Sequence, residues 1–242
     1  MKSHDIRAVF FDVDGTLTSF TTHEVPASTI TALHRLRECG VLVFICTGRA
    51  PSQFEVVARM LPVEFDGIVA ANGQYCFDAQ GFLDTRPIDG DDVAVIVDWL
   101  DRNPDVVATF SECDYVYFNR ITPAMEATWN QLGKTAPTRF VDDPHTRPFT
   151  HETFQISPFI TPEQEAELVG LCRNVTGVRW HPDFTDMIPA DGGNDIAMLR
   201  FAGIGVAMGN ANDEVKAVAD YVTDDVDHDG IMNALLHFGI LQ

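Results

Sequence analysis

Ala8-Val9-Phe10-Phe11-Asp12-Val13-Asp14-Gly15-Thr16-Leu17-Thr18 decides the fold. Four apolar residues in a row have the length and composition of a buried strand, and the run stops at two carboxylates and a glycine. Such a strand delivers both acids to the carboxyl edge of a sheet, where open α/β folds place their ligands. Asp12 and Asp14 lie two residues apart, so continued strand geometry puts them on one face, and a glycine turn lets backbone amides approach an anion. The layout is that of a nucleophilic carboxylate beside a metal ligand. Asp and Gly are also ordinary turn residues, and it is the segments that follow which decide between the two readings.

Outward from this stretch, residues 18–25 are polar and read as a loop. Pro26 suits a first helical turn, and Ile30, Leu33, Leu36 and Arg37 keep a helical period up to Gly40, a natural C-terminal stop. Residues 41–46 form a second apolar run. Strand, helix, strand opens a doubly wound parallel sheet. The second strand ends in Thr47-Gly48-Arg49, which combines a hydroxyl, a flexible glycine and a guanidinium suited to phosphate oxygens. Residues 51–60 read as a helix and 67–71 as a core strand. Asn72-Gly73 is a tight-turn signal that folds residues 74–78 back as a hairpin, and that turn chemistry accounts for the pair without any catalytic role.

From about residue 82 to 181 the pattern changes. Helices are expected at 91–102, 123–132 and 162–174, with strands at 106–110, 115–118, 153–156 and 178–180. Strands adjacent in sequence and mixed with helices describe an α+β layer inserted between the halves of the first sheet. Gln155 and His181 are its polar candidates for a substrate contact, each with a structural or solvated role as the alternative.

The last third returns to site chemistry. Asp191-Gly192-Gly193-Asn194-Asp195 opens a helix over 196–201, followed by a strand at 203–208 and a further helix from 209–211 through 218. Two carboxylates and an amide at a helix start can complete an oxygen-rich Mg2+ site with Asp12. Capping of that helix by Asp191 or Asn194 needs no metal.

Composition bounds the partners. The chain has 242 residues, 45% apolar and 21% charged, enough to bury a full core. Sixteen basic against 36 acidic residues give a formal charge of −20, which opposes binding to nucleic acid or anionic lipid. A phosphate substrate meets the same repulsion, so its site needs a local cation and helix N-termini. The N-terminal residues are polar and no apolar run reaches membrane-spanning length, so a cytoplasmic protein is expected. Five cysteines without a CxxC spacing point to thiols in a reducing compartment rather than to disulfides or zinc.

The string DVDGT resembles the first motif of the haloacid dehalogenase superfamily. TGR at 47–49 is similar to the second motif as found in Cof-type members, and DGGND at 191–195 resembles the fourth. VAMGNA, VKAVADYVT and DHDGI in the last forty residues are also similar to Cof-type sequences, so the resemblance runs along almost the whole chain. It implies a Rossmann-like core formed by residues 1–81 and 182–242, with 82–181 as a substrate-selecting α/β cap. Asp12 would attack phosphorus and become an aspartyl-phosphate. Asp14 would act as general acid/base and offer its carbonyl to Mg2+, and Thr47, with Gly48 and Arg49, would hold the transferring phosphoryl group. Asp191 would ligate the metal directly, with Asn194 and Asp195 ligating it or bracing its water. Asn72 stands where Cof-type members carry an Asn-Gly near the active site. The implied function is Mg-dependent hydrolysis of small sugar phosphates, hexose 6-phosphates first, by a monomer or weak oligomer.

One departure bears on that function. The family's third motif supplies a lysine, followed by a helix and a core strand, before the fourth motif. Here ten residues separate Trp180 from Asp191, and a crossover to a parallel strand needs about a dozen or more. The lysines are Lys2, Lys134 and Lys216, none at the family's position. Two explanations stand: the segment is deleted, or the natural protein holds one that this sequence lacks. A deletion would favour a phosphosugar- or Mg-binding homologue with impaired turnover. A phosphosugar mutase, which uses the same aspartyl-phosphate chemistry, is the other alternative.

Overall fold

The computed structural model describes residues 6–61, 63–131, 133–177 and 193–242. The opening run forms β1 (Ala8–Phe11), followed by α1 (Ala27–Glu38) and β2 (Leu42–Cys46). After α2 (Pro51–Ala58) comes β3 (Gly67–Ala70), and β1, β2 and β3 lie side by side and parallel. Phe11 pairs with Ile45, and Cys46 with Val69, so the three strands end at one edge. Asp12, Thr47 and Ala71 are the residues that step off that edge.

The sheet is held by burial of its apolar inner residues. Val13, Leu17, Leu33, Leu36, Val43 and Ile45 have no exposed surface, and Ile231 and Leu235 of α8 (Gly230–His237) join the same cluster. Each fully buried aliphatic side chain of this kind contributes about 1.5–3 kcal/mol. Gly40, at φ +73, ends the α1 segment as its sequence implies.

Two short antiparallel strands extend the sheet: β4 (Tyr75–Asp78) and β5 (Leu83–Thr85). The hairpin return at 75–78 matches the expectation, whereas β5 lies inside the stretch read as the second unit. Leu-Asp-Thr is too short and too polar to announce a strand, and pairing with β4 makes it one.

A second sheet, in the order β7-β6-β8, is antiparallel throughout: β6 (Ala108–Ser111), β7 (Val116–Phe118) and β8 (Gln155–Pro158). Its Phe110 and Tyr117 pack with Val93, Ile96, Trp99 and Leu100 of α3 (Gly90–Arg102) and with Leu168 of α5 (Pro162–Leu171). Phe118 packs with Met125 and Trp129 of α4 (Pro123–Gln131). The α5 start carries Pro162 behind a Thr161–Gln164 capping box. Its end falls at Leu171, short of the expected residue 174. The carboxylate of Asp92, 2% exposed, takes the backbone N–H groups of Arg173 at 2.8 Å and Asn174 at 2.9 Å and draws the chain off the helix axis.

The C-terminal third forms α6 (Gly193–Phe201), β9 (Val206–Ala207), α7 (Asp213–Val218) and β10 (Tyr221–Val222), with β9 and β10 parallel. The apolar run at 203–208 yields two strand residues rather than six. The expected strand at 178–180 lies outside the described residues. Among those described, no helix is long and apolar enough to cross a membrane, and none of the five cysteines is in a disulfide.

Candidate active site

Asp12 leaves β1 at 6% exposure and Asp14 follows at 8%. Strand geometry does not continue between them, because Val13 O accepts the backbone N–H groups of Leu17 at 3.0 Å and Thr18 at 2.9 Å, and the Thr18 hydroxyl at 3.1 Å. The chain closes there into a turn. Gly15 sits in it at φ +80, the left-handed region that glycine enters without strain.

Asp14 faces Arg49. The guanidinium makes a two-pronged contact, Nε to Oδ2 and Nη2 to Oδ1, both at 2.7 Å. This is the strongest geometry available to an arginine and a carboxylate. The same guanidinium donates through Nη1 to the Thr135 carbonyl at 2.9 Å. Thr135 belongs to the stretch between α4 and the second sheet's last strand, so Arg49 joins the first sheet's edge to the inserted layer. Thr47, 4% exposed, accepts the backbone N–H of Arg49 at its Oγ1, 3.1 Å away, which leaves its hydroxyl hydrogen for another acceptor.

The end of β3 is a strained turn. Ala71 (φ +49), Asn72 (φ +55) and Gly73 (φ +90) are left-handed in succession. Non-glycine residues in this region cost roughly 1–3 kcal/mol and persist where neighbours over-determine them. Here Ala71 N–H donates to Arg49 O at 2.9 Å, Asn72 N–H to Thr47 O at 3.1 Å, and Thr47 N–H to Val69 O at 2.8 Å. A Cβ on Gly48 would lie 3.3 Å from Asn72 Oδ1. The Asn72 side chain then reaches the inserted layer, donating through Nδ2 to Gln155 Oε1 at 3.2 Å, and Gln155 Nε2 donates to Ser157 Oγ at 2.9 Å.

Cys46, on the strand leading to Thr47, has its thiol pushed up to about 12, by burial first and then by the charges of Asp12, Asp195 and Cys76. The charges of Asp12 and Asp195, from opposite ends of the chain, both act on Cys46. Burial also raises the Asp195 carboxyl to about 6. Among the described residues no group of three or more His, Cys, Asp or Glu could hold a metal ion. Asp191 and His181 lie outside the described residues, as does the Asn194 side chain.

The structure thus brings together Asp12, Asp14, Thr47, Gly48, Arg49, Asn72 and Gln155 at one sheet edge. It adds Thr135 and Ser157, which carried no signal in sequence because their roles depend on contacts between distant segments. Arg49, a phosphate contact by resemblance, has part of its fork on Asp14 in this structure.

A parallel sheet with carboxylates at its strand ends and an inserted antiparallel layer above them defines an α/β enzyme fold with a cap. The sequence profile of the haloacid dehalogenase-like hydrolases matches residues 9–190 and 190–235, and the chain belongs to that family. The putative phosphatase YkrA of Bacillus subtilis is 27% identical over 267 residues, covering 98% of this chain and all of that one. The pyridoxal phosphate phosphatase YbhA of Escherichia coli is 27% identical over 266 residues, 93% of this chain and 96% of its own. Among solved structures, the subclass IIB sugar phosphatase BT4131 superposes with a TM-score of 0.81 at 33% identity, covering 97% of this chain and 100% of that one. The two stretches of the family match meet at residue 190, within the segment where the sequence lacks the family's third motif.

Proposed function

We propose that this hydrolase is a phosphatase that cleaves small sugar phosphates, hexose 6-phosphates first, in two steps. In the first, Asp12 attacks phosphorus and forms an aspartyl-phosphate, while Asp14 gives its proton to the departing sugar oxygen. In the second, Asp14 takes a proton from water, the water oxygen attacks phosphorus, and the Asp12 carboxylate and inorganic phosphate are released. Thr47 donates its hydroxyl hydrogen to a phosphoryl oxygen, with Gly48 leaving room for the phosphoryl group, and Arg49, which holds both Asp14 oxygens in this structure, orients the carboxyl and gives up one oxygen when Asp14 carries the proton. The observation that carries the reading is the buried Asp12-to-Asp14 turn beside Thr47, with the Arg49 fork on the second carboxylate.

Asp12, Asp14, Asp191, Asn194 and Asp195 offer oxygen donors only, the kind hard divalent cations take. Mg2+ would be held by Asp12, the Asp14 carbonyl and Asp191, with Asn194 and Asp195 as ligands or braces. When bound it would offset the negative charge that gathers on the phosphoryl oxygens. Residues 1–81 with 182–242 act as the catalytic core and 82–181 as the cap. Asn72 and Gln155, bonded to each other across the two, are placed to exchange that bond for one to a substrate hydroxyl. Support for the sugar class comes from BT4131, which is described as a sugar phosphatase. YbhA, described as acting on pyridoxal phosphate, marks an alternative leaving group of the same phosphomonoester class.

The break of the family match at residue 190 favours a second reading, a binder of phosphosugar or Mg2+ with impaired turnover. Phosphate release from a panel of hexose 6-phosphates, with Mg2+ and then with EDTA, separates the two. Release that EDTA abolishes is the expected result. Thermal stabilisation by ligand without release supports the second reading.

A further inference from the structure

The turn that carries Asp14 is fastened from the far end of the chain. Gly15, left-handed at φ +80, has its N–H on Thr18 O at 2.9 Å, and its carbonyl takes its partner from outside the turn. Its carbonyl accepts the Asn210 Nδ2 donor at 2.8 Å, and Asn210 Oδ1 accepts the backbone N–H of Val226 at 3.0 Å. Val226 is 5% exposed and packs in the first sheet's core cluster, so Asn210 ties the Asp14 turn to a buried part of the C-terminal third. The approach is close: a Cβ on Gly15 would stand 3.2 Å from Asn210 Nδ2 and 2.7 Å from the Phe20 ring. A parallel tie joins Ser19 Oγ, which donates at 3.0 Å, to Asp227 Oδ2.

Resting on the phosphatase reading, we propose that Asn210 is a positioning residue for Asp14. Its amide fixes the peptide plane after Gly15, and with it the direction of the carboxylate that must give a proton to the leaving oxygen and later take one from water. Asn210 touches neither substrate nor reacting atoms. Its effect is on alignment, and misplacement of a reacting group by ~1 Å can cost about 100-fold in rate.

Two variants test this. Asn210→Asp keeps an acceptor for Val226 N–H and loses the donor to Gly15 O, while Asn210→Ala loses both. With glucose 6-phosphate as substrate, both should lower kcat by about 10- to 100-fold with KM changed by less than about threefold. The Tm of Asn210→Asp should stay near that of the wild type, and that of Asn210→Ala should fall. A merely structural role makes activity follow Tm, so a fully active Asn210→Asp overturns the proposal, as does a loss confined to KM. A wild-type protein that releases no phosphate removes the phosphatase reading, and this inference with it.

Discussion

Arg49 and Asp14 show how a single pair sets the chemistry of the edge. Arginine offers a planar fork that meets both carboxylate oxygens at once, whereas lysine is a point charge on a flexible stem. Arg49→Lys is therefore expected to keep the charge and lose the aim, lowering kcat by about 10- to 100-fold, with Arg49→Ala lower still; steady-state kinetics on a hexose 6-phosphate measures both. The pair was invisible in sequence, where TGR indicated only a phosphate-facing guanidinium. Thirty-five residues separate the partners, and the pairing of β1 with β2 brings them together. Cys46 gives a second test at this scale. Its folded thiol ionises near 12, mainly because it is buried, while an unfolded thiol ionises near its ordinary value of about 8.5. Between those values the folded state holds a proton that the unfolded state has lost, so stability falls as pH rises from about 9 towards 12. Urea titrations of the wild type and Cys46→Ala across that range should show the wild type losing more stability than the variant.

At the scale of elements, Gly67 is the residue that lets β2, β3 and β4 meet. The ring of Phe44 lies over it, stacked in turn on Phe10 with centroids 4.8 Å apart. A Cβ on Gly67 would stand 2.8 Å from Phe44 Cε1 and 3.0 Å from the Phe77 carbonyl, and the carbonyl cannot give way. Gly67→Ala should destabilise the protein by about 1–3 kcal/mol, seen as a lower Tm in thermal unfolding. The strands at 8–11 and 42–46 and the amphipathic period of α1 were legible from periodicity and punctuation, but the expected full burial of the strands does not hold, since Phe10 is 49% and Leu42 45% exposed. The turn at 71–73 was only half legible: Asn-Gly announced a reversal, but nothing in an alanine announces a left-handed φ. Backbone bonds from Thr47 and Arg49 impose that conformation, and they exist only once the parallel strands are in register. The premature end of α5 has the same origin, a buried Asp92 claiming amides that local propensity would have left in the helix.

For the whole molecule, the two layers keep separate apolar clusters and meet through polar contacts and one edge-to-face pair, Tyr75 and Phe154, with ring centroids 5.1 Å apart. Arg49 bonds the Thr135 carbonyl, Asn72 bonds Gln155, and Lys134 pairs with Glu24. Each layer has its own hydrophobic cluster, one around Leu33 and Ile45 and another around Trp99 and Phe110. Contacts of this kind can break and re-form without unfolding either layer. The first sheet runs past the change of pattern near residue 82, because β5 pairs with β4. The central claim is that Asp12 is the nucleophile, and Asp12→Asn tests it most directly, since the amide keeps the shape and removes the charge. Phosphate release from a hexose 6-phosphate in the presence of Mg2+ should be present in the wild type and absent in the variant, with Tm little changed. Release at the wild-type rate from Asp12→Asn would contradict the account.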